Sequence, residues 1–180
     1  TGGDDPVRAL PQGIPVGPGR CRAPVRAGPG DSGVRFALVD VTTPADGVRS
    51  ARLRDGRRLA YAEFGDPAGR PAFYFHGFPG SRKEGALIDR PARTRGVRVI
   101  AIDRPGYGGS DPCPGRSLLD WADDVAELAD MLAVDRFLAI GASGGGPYVA
   151  ACARRLADRL SGAGILCGMG PMDDPSLARD

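Results

Sequence analysis

Phe137-Leu138-Ala139-Ile140-Gly141-Ala142-Ser143-Gly144-Gly145-Gly146-Pro147-Tyr148 is the stretch whose reading decides the fold. An apolar run enters Gly-x-Ser-x-Gly and a helix-like segment leaves it. Strand, sharp turn and helix form the context in which this pattern carries chemistry. That context puts Ser143 at the tip of a strained turn, with its Oγ clear of the backbone. Gly141 and Gly145 stand two residues to either side, where a Cβ would collide with the crossing strand or helix. The backbone N–H of Gly144 falls at the N-terminus of the new helix and points where a substrate oxyanion would form. In a chain with 28 glycines the pattern alone also fits a glycine-rich turn with an incidental serine. The upstream segments choose between the two.

Ala72-Phe73-Tyr74-Phe75 is a short, continuous apolar run of the kind found in strands buried on both faces. It ends in His76-Gly77-Phe78-Pro79-Gly80-Ser81, and a helix-like stretch follows with Ser81 as N-cap and Glu84 in the capping-box position. In this reading the Phe78 N–H is the second oxyanion donor, opposite Gly144. Gly77 and Gly80 let the backbone approach a substrate, and Pro79 stiffens the loop. His76 is the one histidine of the chain. Its place at a strand end, inside the anion loop, assigns it to tying that loop rather than to general-base work.

Val97–Ile102 reads as another buried strand, entering Asp103-Arg104-Pro105-Gly106-Tyr107-Gly108-Gly109-Ser110-Asp111. Asp103 is expected to bond within its own loop. A nucleotide fingerprint needs Gly-x-Gly-x-x-Gly opening a helix, whereas Pro112, Pro114 and Gly115 intervene here.

His-Gly-x-Pro-Gly, Asp-Arg-Pro-Gly-Tyr-Gly-Gly-Ser-Asp and Gly-x-Ser-x-Gly, each after a strand and in this order, resemble the N-terminal half of an α/β-hydrolase. The resemblance covers about Arg49 to Asp173. It implies an α/β fold, a mostly parallel sheet with helices on both faces, cut after about the sixth strand. It implies Ser143 as nucleophile and the N–H groups of Phe78 and Gly144 as the oxyanion hole, with His76, Gly77, Gly141 and Gly145 shaping loop and elbow. Relatives with a serine at the elbow are mostly esterases, lipases, peptidases and C–C hydrolases. Those with aspartate there, the dehalogenases and epoxide hydrolases, are disfavoured by Ser143.

Length and composition set the remaining bounds. At 180 residues, 42% apolar and 26% charged, the chain is about one soluble globular domain. A net charge of +2 is too small to point to nucleic acid or a membrane surface. A small-molecule substrate is what the resemblance to the hydrolase family implies. The sequence offers no apolar run of about 18 residues. Cys21, Cys113, Cys152 and Cys167 lack CxxC spacing and only one histidine accompanies them, so no zinc site is expected. The resemblance to the hydrolase family implies no metal and no organic cofactor. Free thiols and the lack of a secretory apolar core make the expected location cytoplasmic. Residues 1–48 are rich in glycine and proline and are expected to be a disordered tail, with one strand-like island at Val34–Val39. Residues 49–180 form the domain, opening with a hairpin about Asp55-Gly56.

After Ser117, a candidate N-cap, the apolar residues Trp121, Val125, Leu128 and Leu132 recur at helical spacing. The acidic residues between them read as a solvated face. Tyr148–Leu156 is an alanine-rich helix, Ala163–Cys167 a last strand, and Gly168–Pro175 a loop. No histidine follows Ser143. A serine hydroxyl needs an adjacent base, in this fold a histidine after an Asp or Glu. Asp173 and Asp174 are read as the start of a lid rather than as that acid. The expectation is therefore that the acid and histidine lie beyond this chain, which alone would be inactive, with an open, aggregation-prone sheet edge. The alternative is an inactive truncated product or a non-enzymatic binding relative of the fold.

Overall fold

Two strands open the fold, β1 (Arg49–Arg52) and β2 (Arg58–Gly65), paired antiparallel with Arg52 opposite Arg58. This is a computed structural model, and the structure describes residues 49–170. The expected tail, its Val34–Val39 island, and Asp173 and Asp174 lie outside the described residues. The hairpin turn closes through the Leu53 N–H to the Arg57 carbonyl at 2.8 Å, and Gly56 takes the left-handed backbone the turn requires, φ 87°.

Four further strands complete one sheet: β3 (Arg70–Phe75), β4 (Val97–Ile102), β5 (Phe137–Ala142) and β6 (Leu160–Leu166). The order is β1-β2-β4-β3-β5-β6, with β2 antiparallel to β4 and every later pair parallel. Parallel neighbours need crossovers, and three helices supply them: α1 (Asp89–Thr94), α2 (Leu118–Met131) and α3 (Gly146–Arg155). The chain leaves β3 to one side through α1, then returns across it through α2 to reach β5. Right-handed connections running in opposite directions along a sheet place their helices on opposite faces.

The strands show both faces in their side-chain alternation. Phe73 and Phe75 of β3, with Ile100 and Ile102 of β4, join Trp121, Val125 and Leu128 of α2 and Val149 of α3 in the larger core. Tyr74, Val99 and Ala101, one residue out of phase, pack with Ala92 of α1 on the other face. The continuous apolar runs of β3 and β4 follow from burial on both sides. The α/β class, the mostly parallel sheet and the helices on both faces stand as the sequence predicts.

Several local details differ from expectation. Arg82–Ile88 is a 3-10 helix, not an α-helix. The Ser81 Oγ accepts from the Lys83 N–H, and the Glu84 side chain turns away from its capping position to bond the Gly77 N–H at 2.9 Å. Two strong donors, that N–H and the Tyr74 hydroxyl, outcompete the cap. At α2 the capping box does form, between Ser117 and Asp120.

The acidic run on α2 is a solvated face only in part: Asp123 and Asp130 are exposed, but Asp124 is not. Asp124 is buried and takes two hydrogen bonds from Arg57, at 2.6 and 3.0 Å. Glu127 accepts from the Arg54 N–H, Asp123 pairs with Arg155, and Asp130 pairs with Arg159. These carboxylates pin the β1–β2 turn and the α3 end to α2, which sequence spacing alone does not reveal. The cysteine expectation also needs correction: Cys152 and Cys167 are free, but Cys113 is disulfide-bonded. No helix among the described residues is long and apolar enough to cross a membrane.

At β6 the sheet has an edge among the described residues, and Ile165 and Leu166 there are 52% and 56% exposed. Asp124→Ala would leave the half-buried Arg57 guanidinium paired with Asp55 alone. The expected loss is about 2 kcal/mol of stability, read as a lower denaturant midpoint.

Candidate functional site

The site lies where the strand order reverses. β3 has β4 on one side and β5 on the other, so the loops leaving the C-terminal ends of β3 and β5 diverge and open a crevice. Open α/β sheets place ligands at such switch points. The register sets Phe75 opposite Gly141, bringing the His76–Gly80 loop beside the Ser143 turn.

The turn itself is sharp. Ala142 is extended, Ser143 sits at φ 48°, and Gly146 is already helical. A non-glycine residue in the left-handed region is strained and is held there by its surroundings. Two glycines permit the packing. A Cβ on Gly145 would strike the carbonyl oxygen of Phe75 and lie 2.9 Å from its carbon. A Cβ on Gly141 would lie 2.5 Å from the Gly145 oxygen. Gly77 differs, since its Cβ would meet nothing closer than 3.6 Å. One of those neighbours is the Ser143 Cβ, which places the loop against the serine.

Gly144 and Phe78 face each other across the crevice. A Cβ on Gly144 would stand 3.0 Å from the Phe78 Cβ and 3.3 Å from the Phe78 nitrogen. The Phe78 ring is 66% exposed and meets Tyr107 edge-on at 6.4 Å between centroids. The Phe78–Pro79 peptide bond is cis.

His76 is fully buried, beneath the loop rather than in the crevice. Its Nδ1 lies 2.9 Å from the Gly77 carbonyl and its Nε2 lies 3.3 Å from the Arg104 N–H. Both bonds are satisfied when the proton is on Nδ1 and Nε2 accepts. Burial, with the Arg104 cation adding to it, pulls the imidazole below its ordinary value. The ring is therefore neutral and both nitrogens are committed.

Two residues to which the sequence assigned no part in the site, Arg104 and Glu84, organise the loops. The Arg104 guanidinium reaches the Gly77 carbonyl at 2.7 Å and the Gly144 carbonyl at 3.2 Å. The Glu84 carboxylate holds the Gly77 N–H at 2.9 Å and accepts from the Tyr74 hydroxyl at 3.2 Å. Burial beside that carboxylate pushes the Tyr74 phenol up to about 12, so it remains a donor. A charged side chain two residues after a buried strand was the available signal for Arg104. Glu84 gave none beyond its apparent capping role.

Asp103 bonds within its own loop, through the Gly109 N–H at 2.8 Å. It also accepts from the Arg82 N–H and pairs with the Arg82 guanidinium, so it anchors the 3-10 helix as well. Ser110 joins this loop to β2, accepting from the Ala60 N–H at 2.9 Å. Among the described residues no group of His, Cys, Asp or Glu could hold a metal ion.

The site therefore presents a strained serine, facing backbone segments and a neutral, enclosed histidine. Residues 73–180 match the family described as alpha/beta hydrolase fold, and the chain belongs to that family. It is 37% identical over 97 residues to a non-heme chloroperoxidase of Streptomyces lividans, covering 53% of this chain and 35% of that protein. It is 33% identical over 98 residues to a bifunctional esterase/perhydrolase of Acinetobacter calcoaceticus, covering 54% of this chain and 36% of that protein. A thermophilic esterase from Thermogutta terrifontis superposes with a TM-score of 0.61 at 30% identity, over 72% of this chain and 48% of that one. The chain thus spans about a third of the length of these two curated relatives.

Gly145→Ala is expected to force β3 and the turn apart and to cost about 2 kcal/mol. Gly77→Ala is expected to change stability by less than about 0.5 kcal/mol in the same denaturation assay. His76 supplies a pH signature. Its folded pKa is depressed, so its contribution to stability is complete above the unfolded value of about 6.5 and declines as pH falls below it. Ring nitrogen shifts followed through a pH titration should place the His76 midpoint below that of a free imidazole.

Proposed function

We propose that this chain carries the nucleophile and the oxyanion-binding part of a serine hydrolase acting on an ester or related carbonyl compound. The observation that carries the reading is Ser143 at φ 48° on a strand-to-helix turn, with the Phe78 and Gly144 backbones facing each other beside it. In this reading the Ser143 Oγ attacks the carbonyl carbon and the carbonyl oxygen becomes an oxyanion. The N–H groups of Phe78 and Gly144 stabilise that charge, and the hydroxyl proton passes to the histidine outside this chain. Collapse of the adduct breaks the ester C–O bond, the alcohol leaves with that proton, and water then hydrolyses the acyl-enzyme to the carboxylic acid and free Ser143. Residues 49–180 act as the first part of the hydrolase domain.

His76 does not supply the base, because both its nitrogens are engaged within the loop. The reading places the activating carboxylate and histidine in the part of the fold that this chain does not span. Two relatives named as esterases support an ester substrate.

The test is covalent labelling by a fluorophosphonate probe in the full-length natural polypeptide. One labelled site at Ser143 is expected, lost in Ser143→Ala, with ester turnover falling by at least about 10³-fold. Equal turnover in Ser143→Ala would refute the reading. A polypeptide that takes no label and turns over no ester would favour a binding relative of the fold.

A further inference from the structure

We propose that Arg104 is a positioning residue, which holds and polarises the peptide unit that presents the Phe78 N–H to the oxyanion. The proposal rests on the serine-hydrolase reading and adds to it a charged group behind the hole.

The Gly77 carbonyl and the Phe78 N–H belong to one planar peptide unit. What fixes that carbonyl fixes the direction of the N–H. Arg104 Nη2 donates to the Gly77 oxygen at 2.7 Å, and His76 Nδ1 donates to the same oxygen at 2.9 Å. Both lone pairs are then occupied. The preceding peptide is held as well, through the Gly77 N–H to Glu84. Rotation of the unit would break a charge-assisted hydrogen bond in a buried setting.

The same guanidinium also binds the far side of the crevice. Its Nη1 donates to the Gly144 carbonyl at 3.2 Å, so one rigid planar group spans the loop and the serine turn. The rings of Tyr107 and Tyr148 lie at 4.7 and 4.9 Å from its central carbon and fix its plane.

Its charge is unusual in its partners. Arg104 is 3% exposed, yet among the described residues its hydrogen bonds go to main-chain carbonyls and His76. The neighbouring Asp103 carboxylate is taken by Arg82. A buried cation without a carboxylate is costly. Negative charge developing at the Phe78 and Gly144 N–H groups gives that cation a partner in the transition state alone. A carbonyl that accepts from a cation also makes its own N–H a stronger donor. Both effects act on the chemical step and not on ground-state binding.

The experiment measures p-nitrophenyl acetate hydrolysis by the full-length polypeptide, with active sites counted by fluorophosphonate titration. Arg104→Met is expected to lower kcat per titrated site by about 10- to 100-fold, with KM held within about twofold. Arg104→Lys keeps a charge but reaches one carbonyl, and an intermediate kcat is expected. A role confined to stability would reduce the number of titratable sites and leave kcat per site intact, which overturns the proposal. A raised KM with unchanged kcat overturns it too. If Arg104→Met does not fold, Arg104→Lys decides: a wild-type kcat overturns the two-carbonyl clamp, and an intermediate one supports it. Ser143→Ala run alongside separates the two readings. Retained turnover there sinks the serine reading, whereas lost turnover with an unaltered Arg104→Met kcat sinks only the role of Arg104.

Discussion

The close approach of Gly145 to the main chain of Phe75 is the constraint from which the rest of the crevice follows. No side chain fits between them, so the turn after β5 and the loop after β3 meet backbone to backbone. Parallel pairing with Phe75 opposite Gly141 brings both loops to the same level. The switch in strand order keeps that level open on one side. Loosening this contact would separate Ser143 and Gly144 from Phe78 without altering any of those residues.

Polar groups then fix what the glycines permit. The loops after β3 and β4 contain few apolar side chains that could lock them by burial. Buried charges do so instead. Arg104 joins His76, Gly77 and Gly144, while Glu84 holds Gly77 from the opposite side. Asp103 and Arg82 secure the loop from which Arg104 projects. Removing one member of such a network leaves the others desolvated and unpaired, which is why networks of this kind rigidify when complete. Rigidity is what an electrostatic site needs, because dipoles that are already aimed cost nothing to reorganise when charge appears.

Much of the fold was legible because its determinants are local. The apolar runs at β3, β4 and β5, the Asp55-Gly56 turn and the Ser117 cap each depend on neighbours a few residues away. Ser81 caps its segment as expected, but the part of Glu84 was misread for the same reason. The Ser-x-x-Glu spacing fits a capping box, but the Glu84 carboxylate found stronger partners in Gly77 and Tyr74. Asp124 on the acidic face of α2 went the same way, since Arg57 reaches it from the β1–β2 turn and buries it, while Asp123 and Asp130 stay exposed as expected. For Cys113, spacing gave no sign of a disulfide.

By itself the sequence determined the α/β class, the three loops that meet at the site and the two glycines that let them meet. Those features are set by side-chain size, backbone freedom and the period of apolar residues, all of which a chain displays before it folds. Tertiary structure alone decided that His76 is enclosed and neutral, that Glu84 serves the loop and not the helix, and that Arg104 lies behind Gly77 and Gly144. Those roles depend on which distant carbonyls and carboxylates come within about 3 Å, the reach of a hydrogen bond. That distance is fixed only when β3, β4 and β5 lie side by side.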